Sequence, residues 1–305
     1  MKKVFIDGYA GTTGLKIYER LSSRKDIQLL TLTEETRKDI NARKEALNSA
    51  DIAFLCLPDD AAKESVSLIQ NPNTAVIDTS TAHRVNPEWV YGLPELKGQR
   101  EKIAASKRVA NPGCHATGFI VLVAPLVEAG IVKADEVLSC FSLTGYSGGG
   151  KKMIAQYEAE GRDILLDAPR QYGLTQSHKH LPEMAKVCGL KNAPVFCPVV
   201  ADYFAGMEVT VGVHGVSVKT LKDCYREYYA QGVVKFTEGD TFGEGGFISA
   251  GAFAGRDDLE ICVYGNDERA LLVSRFDNLG KGASGAAIQN MNILLGVDET
   301  EGLNV

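Results

Sequence analysis

Apolar and polar positions along the N-terminal part of the chain predict strands and helices in regular succession. Lys3 to Asp7 is a short β-type run, and beyond Gly8–Gly14 the residues Leu15, Ile17, Tyr18 and Leu21 recur at the spacing of one helix face. Ile27 to Leu32 reads as a second strand, and the polar stretch Asp39 to Asn48 as a helix. Ile52-Ala53-Phe54-Leu55-Cys56-Leu57 is a fully apolar third strand ending at Pro58, after which Asp59 is expected to cap a helix reaching Ile69. Ala75 to Asp78 reads as a fourth strand. Strands alternating with helices imply a doubly wound parallel sheet, with ligand sites at the carboxyl ends of its strands. The loops at 8–14, 32–38, 57–60 and 78–84 are therefore the candidate sites.

Further on the pattern changes. Phe119 to Val123 suits a strand by composition, but Thr117 and Gly118 before it and Leu126, Val127 and Gly130 after it favour a helix stopped at Gly130, although Pro125 argues against the helix or implies a kink. Val137–Thr144, Val195–Val200, Glu208–Val213, Leu259–Tyr264 and Ala270–Phe276 read as strands of a mostly antiparallel second layer. His214 falls in an apparent strand over 209–218 and reads as structural. Ile288, Met291, Asn292, Leu294 and Leu295 form one face of a last helix, which is placed back on the first layer. The expected organisation is an α/β protein: residues 1–113 with 280–305 as a dinucleotide-binding domain, and 114–279 as a second domain of mostly antiparallel strands.

Composition narrows the class without naming it. The 305 residues are 45% hydrophobic and 24% charged, ordinary for a globular protein, and the net charge of −6 argues against nucleic acid or an anionic membrane as main partner. The apolar run near Met1 is too short for a signal peptide, and no run reaches the length of a membrane span. Seven cysteines without a C-x-x-C pair indicate neither a disulfide framework nor a zinc ribbon, so reduced thiols in the cytoplasm are expected. Most should be small buried residues, which leaves the question of which one is not.

Cys114 is that candidate. It follows Asn111-Pro112-Gly113 and precedes the apolar run, so a turn feeding a helix sets the sulfur at the positive end of a helix dipole, where thiolate is favoured. His178 and His180 are candidates for its base and acid; the alternatives are surface residues or metal ligands, and no metal-ligand spacing supports the latter. His115 is a weaker candidate, because successive helical residues point in different directions. Gly8, Gly11 and Gly14, with Thr12 and Thr13, suit a pyrophosphate at a helix start. At the end of the second strand, Thr33 and Arg37 suit the 2′-phosphate of NADP(H) better than the ribose hydroxyl of NAD, although Arg37 also reads as a solvated surface residue. Pro58 and Ser80 lie in the other strand-end loops. Arg84 could clamp a substrate anion, with His83 weaker, while Trp89 and Tyr91 read as packing. Gly145 to Lys152 reads either as an anion-binding turn carrying Ser147 and Lys151 or as a flexible loop.

Taken together these segments resemble the N-acetyl-γ-glutamyl-phosphate reductases, in their short form. The resemblance runs through F-I-D-G-x-x-G-T-T-G (5–14), L-C-L-P-D-D (55–60), V-I-D-T-S-T-A (76–82), N-P-G-C (111–114), Y-S-G-G-G-K (146–151), H-K-H-x-P-E (178–183) and K-G-A-S-G-A-A-I-Q-N-M-N (281–292). It implies a Rossmann-type domain with an α+β catalytic and oligomerisation domain over 114–279, NADPH as reductant, a small acyl phosphate as substrate, a cysteine thioester and a place in arginine biosynthesis. Within the shared motifs, Lys281, Gly282 and Asn290 join the cofactor candidates, and Asn111 and Glu183 join Arg84, Ser147 and Lys151 as substrate candidates. A homodimer or homotetramer is expected. Two departures stand out: His115-Ala116 where the family has Tyr-Pro, and His83 where it has Phe. The competing readings are an aspartate-semialdehyde dehydrogenase of the same architecture, a cysteine hydrolase using Cys114 and a histidine, and a dinucleotide sensor without chemistry.

Overall fold

Strand β1 (Lys2–Asp7) is flanked in parallel by β2 (Ile27–Leu30) and β3 (Ile52–Leu55). The computed structural model describes residues 1–239 and 245–305. Helices α1 (Thr12–Leu21), α2 (Ile40–Ser49) and α3 (Asp59–Leu68) connect these strands and lead to β4 (Ala75–Asp78). Then follow β5 (Val90–Tyr91), α4 (Gln99–Ala105) and β6 (Arg108–Ala110), which the sequence pattern does not reveal. The strand order is β2-β1-β3-β4-β6-β5, with every pairing parallel. Val4, Ile6, Phe54 and Ile77 on one face pack with Ile17 and Leu21 of α1 and with Ile288 and Met291 of the C-terminal helix (Gly285–Leu295). Phe5, Leu55 and Val76 on the other face pack with Leu47 and Ala62. A sheet covered on both sides needs strands apolar on both sides, which accounts for the unbroken run at 52–57. Buried Asp7 ends β1 and binds Arg43 Nη2 at 3.1 Å and Ser65 Oγ at 2.8 Å, tying α2 and α3 to the strand that delivers Gly8.

One aspartate caps its helix, and the one expected to do so does not. Asp39 accepts from Ala42 N at 2.7 Å and opens α2. Asp59 does not cap α3: Pro58 holds the cap position, and the Asp59 carboxylate accepts from Thr81 N at 2.9 Å and from the Thr81 hydroxyl. A tertiary partner has displaced the local one.

In the second part, α5 (Cys114–Glu128) is followed by β7 (Ser139–Gly145), α6 (Gly150–Glu158), β8 (Arg170–Gln171), α7 (Leu181–Cys188), β9 (Val195–Ala201), β10 (Met207–His214), α8 (Val218–Tyr228), β11 (Val234–Phe236), β12 (Leu259–Gly265) and β13 (Arg269–Phe276). The seven strands run β11-β12-β13-β10-β7-β9-β8. Pairings β7–β9 and β11–β12 are parallel and the other four antiparallel. Two expectations shift here. Strand β10 stops at His214, Gly215 turns with φ +66°, and Val218 already begins α8, so His214 is an exposed strand end. Gly145–Lys152 is no flexible loop: a 3₁₀ turn over Tyr146–Gly149 leads straight into α6.

Helix α5 is buried from His115 to Leu126, which explains why it is apolar on every side. It crosses β10 and β13 at Gly118, where an added Cβ would lie 2.4 Å from Val209 Cγ2, and Ser274 Oγ donates to the Gly118 carbonyl at 3.1 Å. Pro125 has no N–H for the Val121 carbonyl one turn earlier; Tyr229 Oη donates to that carbonyl at 2.7 Å instead. The helix therefore continues through the proline to Glu128, and Gly130 (φ +70°) follows its end.

Contacts divide the chain into Met1–Pro112 with Ala283–Leu303, and Gly113–Gly282 with Asn304–Val305. Compared with the expected boundaries at 113/114 and 279/280, this division moves Lys281 and Gly282 into the second unit. Among the described residues, no helix is long and apolar enough to cross a membrane.

Candidate active site

The turn before the cysteine is held from its first residue. Asn111 N donates to Asp78 O at 2.8 Å, and Asn111 Nδ2 to Ala283 O at 3.0 Å. Arg84, expected to meet substrate, donates from Nε to the Asn111 carbonyl at 2.9 Å and from Nη2 to the Thr79 carbonyl at 3.0 Å. Asn111 is thus engaged on both sides, and Arg84 fastens its own loop to the turn. Glu183, another substrate candidate, is buried and accepts from Gly113 N at 3.2 Å, so it steadies the turn that presents the sulfur.

Cys114 is the first residue of α5 and is half-buried. The Thr117 amide and hydroxyl both reach the Gly113 carbonyl, at 2.8 and 3.1 Å, closing the first turn. An added Cβ on Gly282 would lie 2.9 Å from Cys114 Cβ, so this glycine keeps the flank of the cysteine clear. No disulfide joins the cysteines. Burial pushes the thiols of Cys56 and Cys262 up to about 12 and about 11, and those of Cys140 and Cys188 higher still. These four are inert packing residues.

The two expected histidines share a cluster with a third. His178 and His180 have ring centroids 4.7 Å apart, and those of His115 lie 5.7 and 5.5 Å from them. His180 N donates to His178 Nδ1 at 3.2 Å, which fixes the proton of neutral His178 on Nε2. His115 is held on both ring nitrogens: its Nδ1 meets Ser142 Oγ at 2.7 Å, and its Nε2 meets Tyr172 Oη at 2.6 Å. Burial first, then the charges of His178 and Lys179, push the His115 pKa down to about 3, so it is neutral near pH 7. Tyr172 is the residue that sequence reasoning missed; nothing in the spacing around it signals a site.

The buried neutral imidazole sets a pH dependence. Its ordinary value is 6.5, so between there and about 3 the unfolded chain binds a proton that the folded chain refuses. The contribution of His115 to stability is complete above 6.5 and drains away as pH falls toward 3. Thermal unfolding at about pH 7 and about pH 4.5 is expected to show a smaller acid loss in His115→Gln than in the parent chain. Equal losses would count against this assignment.

The dinucleotide candidates lie in the first unit. Gly8 has φ +88° and an added Cβ would sit 2.3 Å from Cys56 O, while one on Gly14 would sit 2.5 Å from Gly8 O. Gly11 meets nothing closer than 3.5 Å, and Thr12 and Thr13 form the first turn of α1 with no side-chain cap. Thr33 Oγ1 lies 3.1 Å from Thr36 Oγ1 in a local turn. Arg37 Nε donates to Glu34 at 2.6 Å, and Glu34 also accepts from Tyr9 Oη at 2.9 Å, so the arginine is a paired residue rather than a merely solvated one. The Ser80 hydroxyl is engaged within its loop, donating to Asp78 Oδ2 at 2.8 Å and accepting from Ala82 N at 3.1 Å. His83 Nδ1 lies 2.6 Å from the same Asp78 oxygen, and its ring stacks on Trp89 at 4.0 Å. Asn290 is fully buried; Nδ2 donates to Gly92 O at 2.9 Å, and Oδ1 has no hydrogen-bond partner among the described residues. A buried acceptor left over in this way suits a ligand amide.

In the second unit, Lys281 is fully buried in a π-helical turn over Gly280–Ser284. Ser147 is buried and accepts from Asn278 Nδ2 at 2.9 Å, whereas Lys151 stands exposed in the first turn of α6. Among the described residues, no group of three or more His, Cys, Asp or Glu side chains could hold a metal ion.

Fold and site together define the semialdehyde dehydrogenase class. Residues 3–106 match the family model described as semialdehyde dehydrogenase, NAD binding domain, and residues 114–278 the one described as semialdehyde dehydrogenase, dimerisation domain. The chain is 44% identical to N-acetyl-gamma-glutamyl-phosphate reductase 2 of Nostoc sp. (strain PCC 7120), over 99% of each chain. It is 46% identical to N-acetyl-gamma-glutamyl-phosphate reductase 2 of Pseudomonas putida, over 98% of each. Among solved structures, aspartate semialdehyde dehydrogenase II of Vibrio cholerae shares the fold with a TM-score of 0.73 at 17% identity, covering 97% of this chain and 98% of that one. The chain belongs to the N-acetyl-gamma-glutamyl-phosphate reductase family.

Proposed function

We propose that the chain reduces N-acetyl-γ-glutamyl phosphate to N-acetylglutamate semialdehyde and phosphate with NADPH, as a cytoplasmic step of arginine biosynthesis. The observation that carries this reading is Cys114 at the head of α5, followed at once by His115, which clusters with His178 and His180. In the first unit Gly8, Gly11, Gly14, Thr12 and Thr13 would hold the pyrophosphate, Thr33 and Arg37 the 2′-phosphate, and Asn290 the carboxamide, with Pro58 and Ser80 beside them in the strand-end loops; Lys281 and Gly282 are the second unit's own candidates for the cofactor. When bound, NADPH supplies the hydride.

The protein's part is acyl transfer. His180 takes the thiol proton, because the Nδ1 of His178 already accepts a backbone N–H and its Nε2 carries a proton. The Cys114 sulfur forms a bond to the acyl carbon, the carbon–oxygen bond to phosphate breaks, and phosphate leaves with that electron pair and the proton from His180. A thioester remains. After reduction the tetrahedral oxygen re-forms the carbonyl and expels the sulfur as thiolate. First-turn amides of α5 stabilise the oxyanion at both stages. Lys151, exposed beside the glycine turn, is the cation offered to the substrate's phosphate.

His180→Ala is expected to lower kcat by about 10²-fold or more and to lose the basic-to-acidic pH profile, whereas His178→Ala keeps that profile. A pH profile lost with His178 and kept without His180 would reverse the assignment. The rival substrate is aspartate semialdehyde, on the strength of the shared fold alone. Running both semialdehydes in reverse with NADP and phosphate separates them: N-acetylglutamate semialdehyde should turn over, and preference for the aspartyl compound would sink the proposal.

Self-association is expected through the outer face of the second sheet, where register places Phe141, Val195 and Leu271 on one side, all exposed. Sedimentation should give a dimer or tetramer of the 32.9 kDa chain, and Phe141→Glu with Leu271→Glu should shift it to monomer. A monomeric parent chain would contradict this.

A further inference from the structure

Three side chains form a line through His115, the residue that follows Cys114 in α5. Ser142 on β7 is fully buried, and its Oγ bonds His115 Nδ1; His115 Nε2 bonds Tyr172 Oη. Tyr172 is anchored by its backbone N–H on the Pro198 carbonyl at 3.0 Å and by packing against Tyr157, Leu166 and Val200. The direction of the line follows from counting protons. Neutral His115 carries one. Were it on Nδ1, the Ser142 hydroxyl proton would have no acceptor among the described residues, in a fully buried place. With it on Nε2, Ser142 donates to Nδ1, Nε2–H donates to the Tyr172 oxygen, and the uncommitted proton moves to the half-buried tyrosine. The second arrangement leaves no buried donor stranded.

We propose that Tyr172 is a further catalytic residue: its O–H, oriented by the positioning pair Ser142 and His115, donates a hydrogen bond to the acyl oxygen on Cys114 as that oxygen takes up negative charge. The inference rests on the acyl transfer proposed above. The phenol is kept protonated, because burial first and then the charge of a Cys114 thiolate push its pKa well above the usual tyrosine range. His115 serves as a fixed tautomer between strand and tyrosine, which gives the residue standing in place of the family's tyrosine a role of its own.

Tyr172→Phe removes one oxygen and keeps the packing. Two rates are compared in it: phosphate-dependent NADP reduction by N-acetylglutamate semialdehyde, and alkylation of Cys114 by iodoacetamide. Alkylation occurs at a saturated carbon and develops no oxyanion. The expected result is a kcat lower by about 10²-fold with alkylation within about twofold of the parent. Glutamine keeps an N–H donor in the place of Nε2, so His115→Gln should retain more activity than His115→Leu. Unchanged turnover in Tyr172→Phe overturns the proposal. Equal losses in both rates also overturn it, by placing the tyrosine on the thiol. Equal activity of the two His115 variants overturns the positioning part. A parent enzyme without phosphate-dependent turnover would instead refute the function beneath it.

Discussion

Replacing Cys114 by serine is expected to abolish acyl-enzyme formation and to lower turnover by about 10⁴-fold or more. The side chain changes by one atom, and the start of α5 that surrounds it is held by Gly113, Thr117 and Glu183 whichever residue is present. The loss therefore reports chemistry rather than folding. A serine hydroxyl keeps its proton where a thiol at a helix start gives it up, and an oxygen ester would replace the thioester as the species to be reduced. Phosphate release from the acyl phosphate in single-turnover quench experiments measures the effect. Normal phosphate-dependent turnover in Cys114→Ser would refute the nucleophile. The same variant bears on the cysteine-hydrolase reading, which also needs Cys114 but gives no role to Gly8, Gly11 and Gly14.

Gly14→Ala is expected to weaken NADPH binding by about 100-fold, equivalent to about 2.7 kcal/mol. The added Cβ would lie 2.5 Å from the Gly8 carbonyl oxygen and 2.8 Å from Tyr9 Cα, both backbone atoms that cannot swing aside. The turn between β1 and α1 must open to admit it. Gly11→Ala is the informative comparison, because its Cβ would meet nothing closer than 3.5 Å in the protein itself. Loss of binding in that variant would come from the ligand's own approach. Fluorescence titration with NADPH measures both, while iodoacetamide labelling of Cys114, in the other unit, should stay at the parent rate. Undiminished binding in Gly14→Ala would remove the dinucleotide role of this turn.

Much of the first unit could be read from the sequence because its strands are covered on both faces and its helices on one. Each element then carries its own period, as at 52–57 and at Leu15, Ile17, Tyr18 and Leu21. Strands β5 and β6 escaped because two and three residues are too few to show any period. Asp59 looked like a cap because capping is local, but Thr81 on a distant loop holds the carboxylate. Pro125 argued against a helix because the missing N–H is visible in sequence, whereas the Tyr229 hydroxyl that meets the stranded carbonyl lies more than a hundred residues on. The site divides along the same line. Cys114, His178 and His180 stand in short motifs whose chemistry can be recognised. Arg84 and Glu183 were read as substrate candidates, and the backbone groups they also hold, the Asn111 carbonyl and the Gly113 amide, become their partners only in the fold. Ser142, His115 and Tyr172 meet through a strand, a helix and a loop, and no spacing announces that meeting.

The central claim is that Cys114 carries the acyl group between phosphate departure and reduction. Mixing the protein with N-acetyl-γ-glutamyl phosphate in the absence of NADPH, quenching in acid and digesting for mass spectrometry tests it most directly. The account predicts one phosphate released per chain and an acid-stable, hydroxylamine-sensitive N-acetylglutamyl adduct on the peptide containing Cys114. Phosphate release with that peptide unmodified, or an adduct on any other residue, would contradict it.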